Sequence, residues 1–195
     1  MLSVRFHGRG GQGTVIASKL LASSMFSEGW QVQAFPSFGA ERSGAPVAAF
    51  LRADRQPITI HYQVYEPDHV VVLDVVLLGT IDVTAGLTPG GTILINTPKA
   101  AADLKLPDQF VIATCDATGI ALRHGLGSRT TPIVNTAMIG AWAALTGAVP
   151  LSAVLTQVPL FVPVKADANA AAAREAFEDV QRTLCAVPGA QKGAL

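Results

Sequence analysis

Leu2-Ser-Val-Arg-Phe-His7 runs straight into Gly8-Arg9-Gly10-Gly11-Gln12-Gly13, and residues 12–28 then carry a helical apolar stripe ended by Gly29. The first piece reads as a strand and the last as a helix with Ile16, Leu20 and Leu21 on one face. Glycine just past the helix is the usual terminator, because it adopts the left-handed conformation without strain. Strand, glycine loop and helix in that order open an α/β domain and place the loop where a ligand can meet a helix N-terminus.

Reading outward, a second strand is expected over residues 30–35, a loop over 36–45 and a third strand over 46–52. Pro57-Ile-Thr-Ile60 is a short extended piece. His69-Val-Val-Val-Leu-Asp74, Gly91-Thr-Ile-Leu-Ile-Asn96 and Phe110-Val-Ile-Ala-Thr-Cys115 are continuous apolar runs, the last followed by Asp116. Such runs mark strands buried on both faces, as in parallel sheets. Polar groups at their C-terminal ends suggest one ligand-facing edge. Thr131 and Pro132 read as N-cap and first residue of an apolar helix over 133–149. That stretch approaches membrane-span length, but Asn135, Thr136, Thr146 and the bracketing Pro132 and Pro150 favour a buried helix of a soluble domain. Helices over 151–158 and 168–185 follow, the latter with Phe177, Val180 and Leu184 on one face. The expected fold class is α/β, a single Rossmann-like, doubly wound, mostly parallel open sheet with helices on both faces. One domain is expected over 1–187, with a flexible Gly/Ala-rich tail over 188–195.

The chain has 195 residues, half of them hydrophobic and only 14% charged, against about 25% charged in an average domain. A large buried sheet and surface hidden against other chains both account for this. Net charge is zero with no basic run, so nucleic acid is not an expected partner. The N-terminus lacks the features of a signal peptide. Cys115 and Cys185 stand far apart, and His7, His61, His69 and His124 are scattered, so no metal is expected on this chain. A reducing cytoplasm fits this cysteine usage.

The loop at 8–13 matches GxGxxG. A nicotinamide or flavin dinucleotide would also need an acid at the end of the second strand to hold ribose hydroxyls. Trp30-Gln-Val-Gln-Ala-Phe-Pro-Ser37 ends without one, and Glu28 precedes it. Two readings of the glycines stay open: close packing against a neighbouring chain, or a phosphate-bearing ligand of another kind. The second loop, Phe35-Pro-Ser-Phe-Gly-Ala-Glu-Arg-Ser-Gly-Ala-Pro46, would share the glycine loop's edge. Arg42 is suited to clamp a phosphate or carboxylate, and Ser43 and Gly44 to donate hydrogen bonds; a solvated turn is the alternative. Asp74, Asn96 and Asp116 are expected to cap helices or satisfy loop backbone rather than do chemistry. His7 is expected to be packed. Asn135 needs a hydrogen-bond partner, which the sequence does not identify.

Together, GRGGQG at 8–13, FPSFGAERSGAPV at 35–47, YEPDHVVVLD at 65–74, LTPGGTILINTP at 87–98 and PIVNTAMIGAW at 132–142 resemble the gamma subunit of the pyruvate/2-ketoisovalerate:ferredoxin (2-oxoacid:acceptor) oxidoreductases. VKADANAAAAREAF at 164–177 is similar to that family's C-terminal pattern. The resemblance implies a non-catalytic subunit of a complex that converts a 2-oxoacid to acyl-CoA and CO2 and passes electrons to ferredoxin or a similar acceptor. It implies thiamine diphosphate, Mg and iron–sulfur clusters on alpha, beta and delta-type partners, and coenzyme A as co-substrate, with no cofactor bound by this chain alone. It places Gly8, Arg9, Gly10, Gly11 and Gly13, with Glu41, Arg42, Ser43 and Gly44, on the coenzyme A side of the cleft or against a neighbouring subunit. It implies a cytoplasmic complex without membrane attachment, an inactive isolated chain, and no catalytic residue here. The alternatives are a stand-alone Rossmann-like NAD- or FAD-binding oxidoreductase and a non-enzymatic scaffold subunit. Which 2-oxoacid is used is left open, because the substrate-facing residues belong mainly to other subunits.

Overall fold

The computed structural model describes residues 1–37 and 44–186. Six strands form one sheet in the order β2-β3-β1-β4-β5-β6: β1 (Leu2–Arg9), β2 (Gln31–Pro36), β3 (Pro46–Asp54), β4 (His69–Val72), β5 (Thr92–Asn96) and β6 (Val111–Cys115). The pairs β1–β4, β4–β5 and β5–β6 are parallel. β3 is antiparallel to both β1 and β2, so every strand except β3 points the same way. β1 runs two residues further than the sequence suggests because Gly8 and Arg9 pair with Val47 and Pro46. The piece at 57–60 does not join the sheet.

The α-helices α1 (Thr14–Ser27), α2 (Ala117–Arg123), α3 (Asn135–Thr146), α4 (Leu151–Phe161) and α5 (Ala166–Ala186) stack on one face. They share a core with Val4 and Phe6 of β1, Leu51 of β3, Val71 of β4 and Leu94 of β5. Among the described residues, the helical segments on the other face are the 3-10 helices Val75–Gly79 and Ala101–Leu104, with Leu77, Val83, Leu87 and Phe110 packed on Val70, Val72, Ile93 and Ile95. Helical segments thus lie on both faces, but the second layer is thin. α1 links β1 to β2 on one side, while the 3-10 segments link β4 to β5 and β5 to β6 on the other. This is the winding reversal of a doubly wound sheet, and it leaves a switch point beside β1 and β4.

α3 is the central helix: every residue from Asn135 to Ala143 is buried. Its approach to α5 is set by Gly140, where a Cβ would run into the backbone carbonyl of Ala173. The alanine run that opens α5 buries Ala172, Ala173 and Ala176 for the same close approach. α3 starts later than expected. Thr131 is bonded back to Ser128, and Pro132 bridges to Gly127, so this stretch is a turn rather than a helix cap. α1 likewise starts at Thr14, because Gly13 sits at φ 76 in the left-handed region. Ile16 faces outward, and Leu20 and Leu21 alone of the expected stripe are fully buried.

Under the antiparallel half, the second face is polar. Arg52 is 2% exposed and donates to the carbonyls of Tyr62 and Gln63. Arg5 donates to Val83 and Ala85. Irregular segments cannot satisfy their own buried carbonyls, and these two guanidinium groups do it for them.

Candidate functional site

The C-terminal ends of β1, β2, β4, β5 and β6 share one edge, and the glycine loop and the described ends of the second loop, residues 36–37 and 44–45, lie on it. Gly10 N–H donates to the Ala45 carbonyl at 2.9 Å, and Gly44 N–H donates to the Gly10 carbonyl at 3.3 Å. The backbone ties the glycine loop to the far end of the second loop. Gly8 is buried at the strand end, Arg9, Gly10 and Gly13 are half-buried, and Gly11 and Gly44 are exposed. Glu41, Arg42 and Ser43 lie outside the described residues.

The glycine loop is held from below by Asp74, at the end of β4. One carboxylate oxygen accepts from Arg9 Nε at 2.6 Å, Arg9 Nη2 at 2.5 Å and Gln12 Nε2 at 2.8 Å. The other caps the following 3-10 helix by accepting from Val76 N–H at 3.0 Å. Gln12 completes the ring, its amide oxygen accepting from Arg9 N–H at 2.8 Å. Asp74 therefore caps, as the sequence suggests, and also braces the loop. Asp116 caps α2 by accepting from Gly119 N–H. Asn96 links β4 to α2, donating to the Leu73 carbonyl and accepting from Thr118 N–H. All three are spent on backbone and loop support.

α3 points its N-terminus at the same edge. The amide nitrogen of Asn135 would lie only 2.5 Å from a Cβ placed on Gly13, so the two make direct contact. Thr136 Oγ1 donates to Asn169, whose amide donates to the Val164 and Lys165 carbonyls. Lys165 Nζ reaches the Gly125 carbonyl. The lysine and asparagine of the C-terminal motif thus fasten the α4–α5 turn beside α3.

Other reactive side chains near the sheet are inert. Burial, with Arg5 nearby, pushes His7 down to about 4. Burial pushes the Cys115 thiol up to about 12, which removes its nucleophilic thiolate. Sequence reasoning did not place Gln12 or Asn135 in this assembly. Gln12 was visible only as the variable position of the loop, and Asn135 only as a polar residue in an apolar helix.

One feature bears on dinucleotides. In a nucleotide-binding Rossmann unit the strand beside the glycine loop carries the ribose-binding acid. Here antiparallel β3 occupies that place, and β2 is displaced by two strand spacings, about 10 Å. β2 also ends at Pro36, without an acid.

A family model described as pyruvate ferredoxin/flavodoxin oxidoreductase matches residues 3–179. The chain belongs to this family. Its relatives fix the subunit type as gamma. The pyruvate/ketoisovalerate oxidoreductases common subunit gamma of Thermococcus kodakarensis is 52% identical, over 91% of this chain and 96% of that protein. The pyruvate synthase subunit PorC of Methanothermobacter marburgensis is 47% identical, over 94% and 99%. Among solved structures, the pyruvate oxidoreductase subunit PORC of Thermotoga maritima superposes with a TM-score of 0.76 at 39% identity, covering 91% of this chain and 95% of that one. The sheet and helices described above are therefore those of an oxidoreductase gamma subunit. Among its described residues, no helix is long and apolar enough to cross a membrane.

Proposed function

We propose that this gamma subunit closes the coenzyme A side of the active-site cleft in a complex that oxidatively decarboxylates a 2-oxoacid to acyl-CoA and CO2. The observation that carries the reading is the joined edge: the glycine loop, Gly44 and Ala45 at the far end of the second loop, and the N-terminus of α1 meet where an open α/β sheet binds ligands. Backbone N–H groups, Arg9 and Arg42 suit a phosphate-rich ligand. The outward place of β2 and the missing acid argue against a stand-alone NAD or FAD enzyme.

The proposal assigns thiamine diphosphate with Mg, and the iron–sulfur clusters, to alpha, beta and delta-type partners. Electrons leave through the partners to ferredoxin or a similar acceptor in the cytoplasm, and the chain alone turns nothing over. Gly8, Gly10, Gly11, Gly13, Glu41, Ser43 and Gly44 shape the coenzyme-facing edge, and Arg42 supplies its charge.

The test is the Arg42→Ala variant in the assembled complex. The KM for coenzyme A is expected to rise tenfold or more, with the KM for the oxoacid nearly constant. An unchanged coenzyme A requirement contradicts the assignment.

A further inference from the structure

We propose that a cavity at the N-terminal edge of the sheet binds a small aromatic amine, its ring against Trp30 and Pro89 and its ammonium on Asp68.

The cavity lies at the starts of β1, β4 and β5, at the other end of the strands from the glycine loop. Its volume is about 320 Å³, and ligand pockets begin at about 300 Å³. Leu2, Trp30 and Pro89 give it apolar walls, while Asp68, His69 and Thr92 add polar groups.

These walls are held in place by contacts of their own. In the loop over 88–91, Thr88 N–H donates to the Pro67 carbonyl at 3.0 Å and Gly90 N–H to the Gln109 carbonyl at 3.1 Å. Gly91 packs so closely that a Cβ there would run into the Thr88 and Asp68 carbonyls. Across the cavity, the Arg55 guanidinium lies over the Trp30 ring, 4.1 Å from its centre. His69 Nδ1 is bonded to Thr92 Oγ1 at 2.6 Å, and its ring stands edge-on to Trp142 with centres 5.6 Å apart. A preformed cavity spends little ordering entropy on binding.

Charge selects the ligand. One Asp68 oxygen accepts from the Ser3 N–H at 2.7 Å and the Ser3 hydroxyl at 2.8 Å, which fixes the carboxylate. Its other oxygen accepts nothing among the described residues. Burial pushes His69 down to about 4, so near neutral pH it adds no positive charge to repel a cation. The Met1 ammonium is taken by Asp54 at 3.1 Å. A fixed carboxylate with an open oxygen, beside an indole ring, suits an ammonium carried on an aromatic frame. An anion, a 2-oxoacid included, meets repulsion from Asp68.

The experiment titrates the assembled complex calorimetrically with 2-phenylethylamine, 2-phenylethanol and phenylacetate. The amine should bind tightest, at one site per gamma subunit. Asp68→Asn keeps an acceptor for Ser3 and removes the charge, and should weaken the amine about tenfold while the alcohol stays within about twofold. Trp30→Ala should weaken amine and alcohol alike. No binding to the parent, phenylacetate binding as tightly as the amine, or an amine affinity indifferent to Asp68→Asn overturns the proposal. Equal loss of amine and alcohol in Asp68→Asn with a lowered Tm marks a structural role and also overturns it. If the variants do not assemble, photolabelling the parent complex with 4-azidophenethylamine decides. Labels on Trp30 and residues 88–92 that 2-phenylethylamine competes away support the site, and labels confined to other residues overturn it.

Discussion

At the scale of single residues, the glycine loop shows why a motif is less informative than its neighbours. The pattern at 8–13 is visible in the sequence, and so is the missing acid after the second strand. The brace is not visible, because Asp74 lies 65 residues from Arg9 and only the β1–β4 pairing brings them together. Asp74→Ala removes a helix cap worth about 1 kcal/mol and frees Arg9 and Gln12. Thermal unfolding of the purified chain should show a Tm lower by at least about 2 °C, and an unchanged Tm would count against the brace. Gly13→Ala should be worse, since alanine is strained at φ 76 and its Cβ would press on Asn135.

Two buried histidines make a pH prediction at the same scale. Burial lowers His7 and His69 from 6.5 to about 4. The unfolded chain takes up protons as pH falls through 6.5, while the folded chain resists until about 4. The stability they support is complete above 6.5 and is lost as pH falls towards 4. The slope is about 1.4 kcal/mol per pH unit for each histidine within that window. Denaturant melts at pH 7, 6 and 5 should show the decline, and His69→Gln should make it shallower. A stability independent of pH across that window contradicts the burial argument.

Among elements, those with a strong period or a two-sided apolar run were legible. β1, β4, β5 and the long C-terminal helix fall close to where the sequence puts them. What escaped were the short helices, α2 and the two 3-10 segments, which have too few residues to show a period. The direction of β3 also escaped, since strand direction is a property of pairing and not of composition. The start of α3 was misplaced because Thr131 and Pro132 suit a turn as well as a cap. A third of the candidate site, residues 41–43, lies outside the described residues, and Asn135 needed the α1–α3 contact to be placed. The α3–α5 seam offers a direct test. Gly140→Ala would push α3 off the Ala173 carbonyl and should cost about 1–3 kcal/mol. A variant as stable as the parent in urea would show that the helices do not touch there.

At the scale of the whole molecule, the low charge fraction has two causes that both hold. A sheet with β1 and β4 buried on both faces consumes apolar residues. Apolar side chains also remain outside: Phe26, Tyr62, Tyr65, Val76, Leu160 and Val164 are each more than half exposed. Single exposed residues need no explanation, but this many on a chain of gamma type agrees with surface meant for other subunits. The structure accordingly describes a gamma subunit whose Asp74, Asn96 and Asp116 are spent on backbone and loop support and whose Cys115 thiol is buried.

The most direct test of that account is to tag the chain in its native host, purify it without oxygen and assay what comes with it. The account predicts partners carrying thiamine diphosphate and iron–sulfur clusters, and 2-oxoacid oxidation that requires coenzyme A. A lone chain or homodimer that binds a nicotinamide or flavin would contradict it.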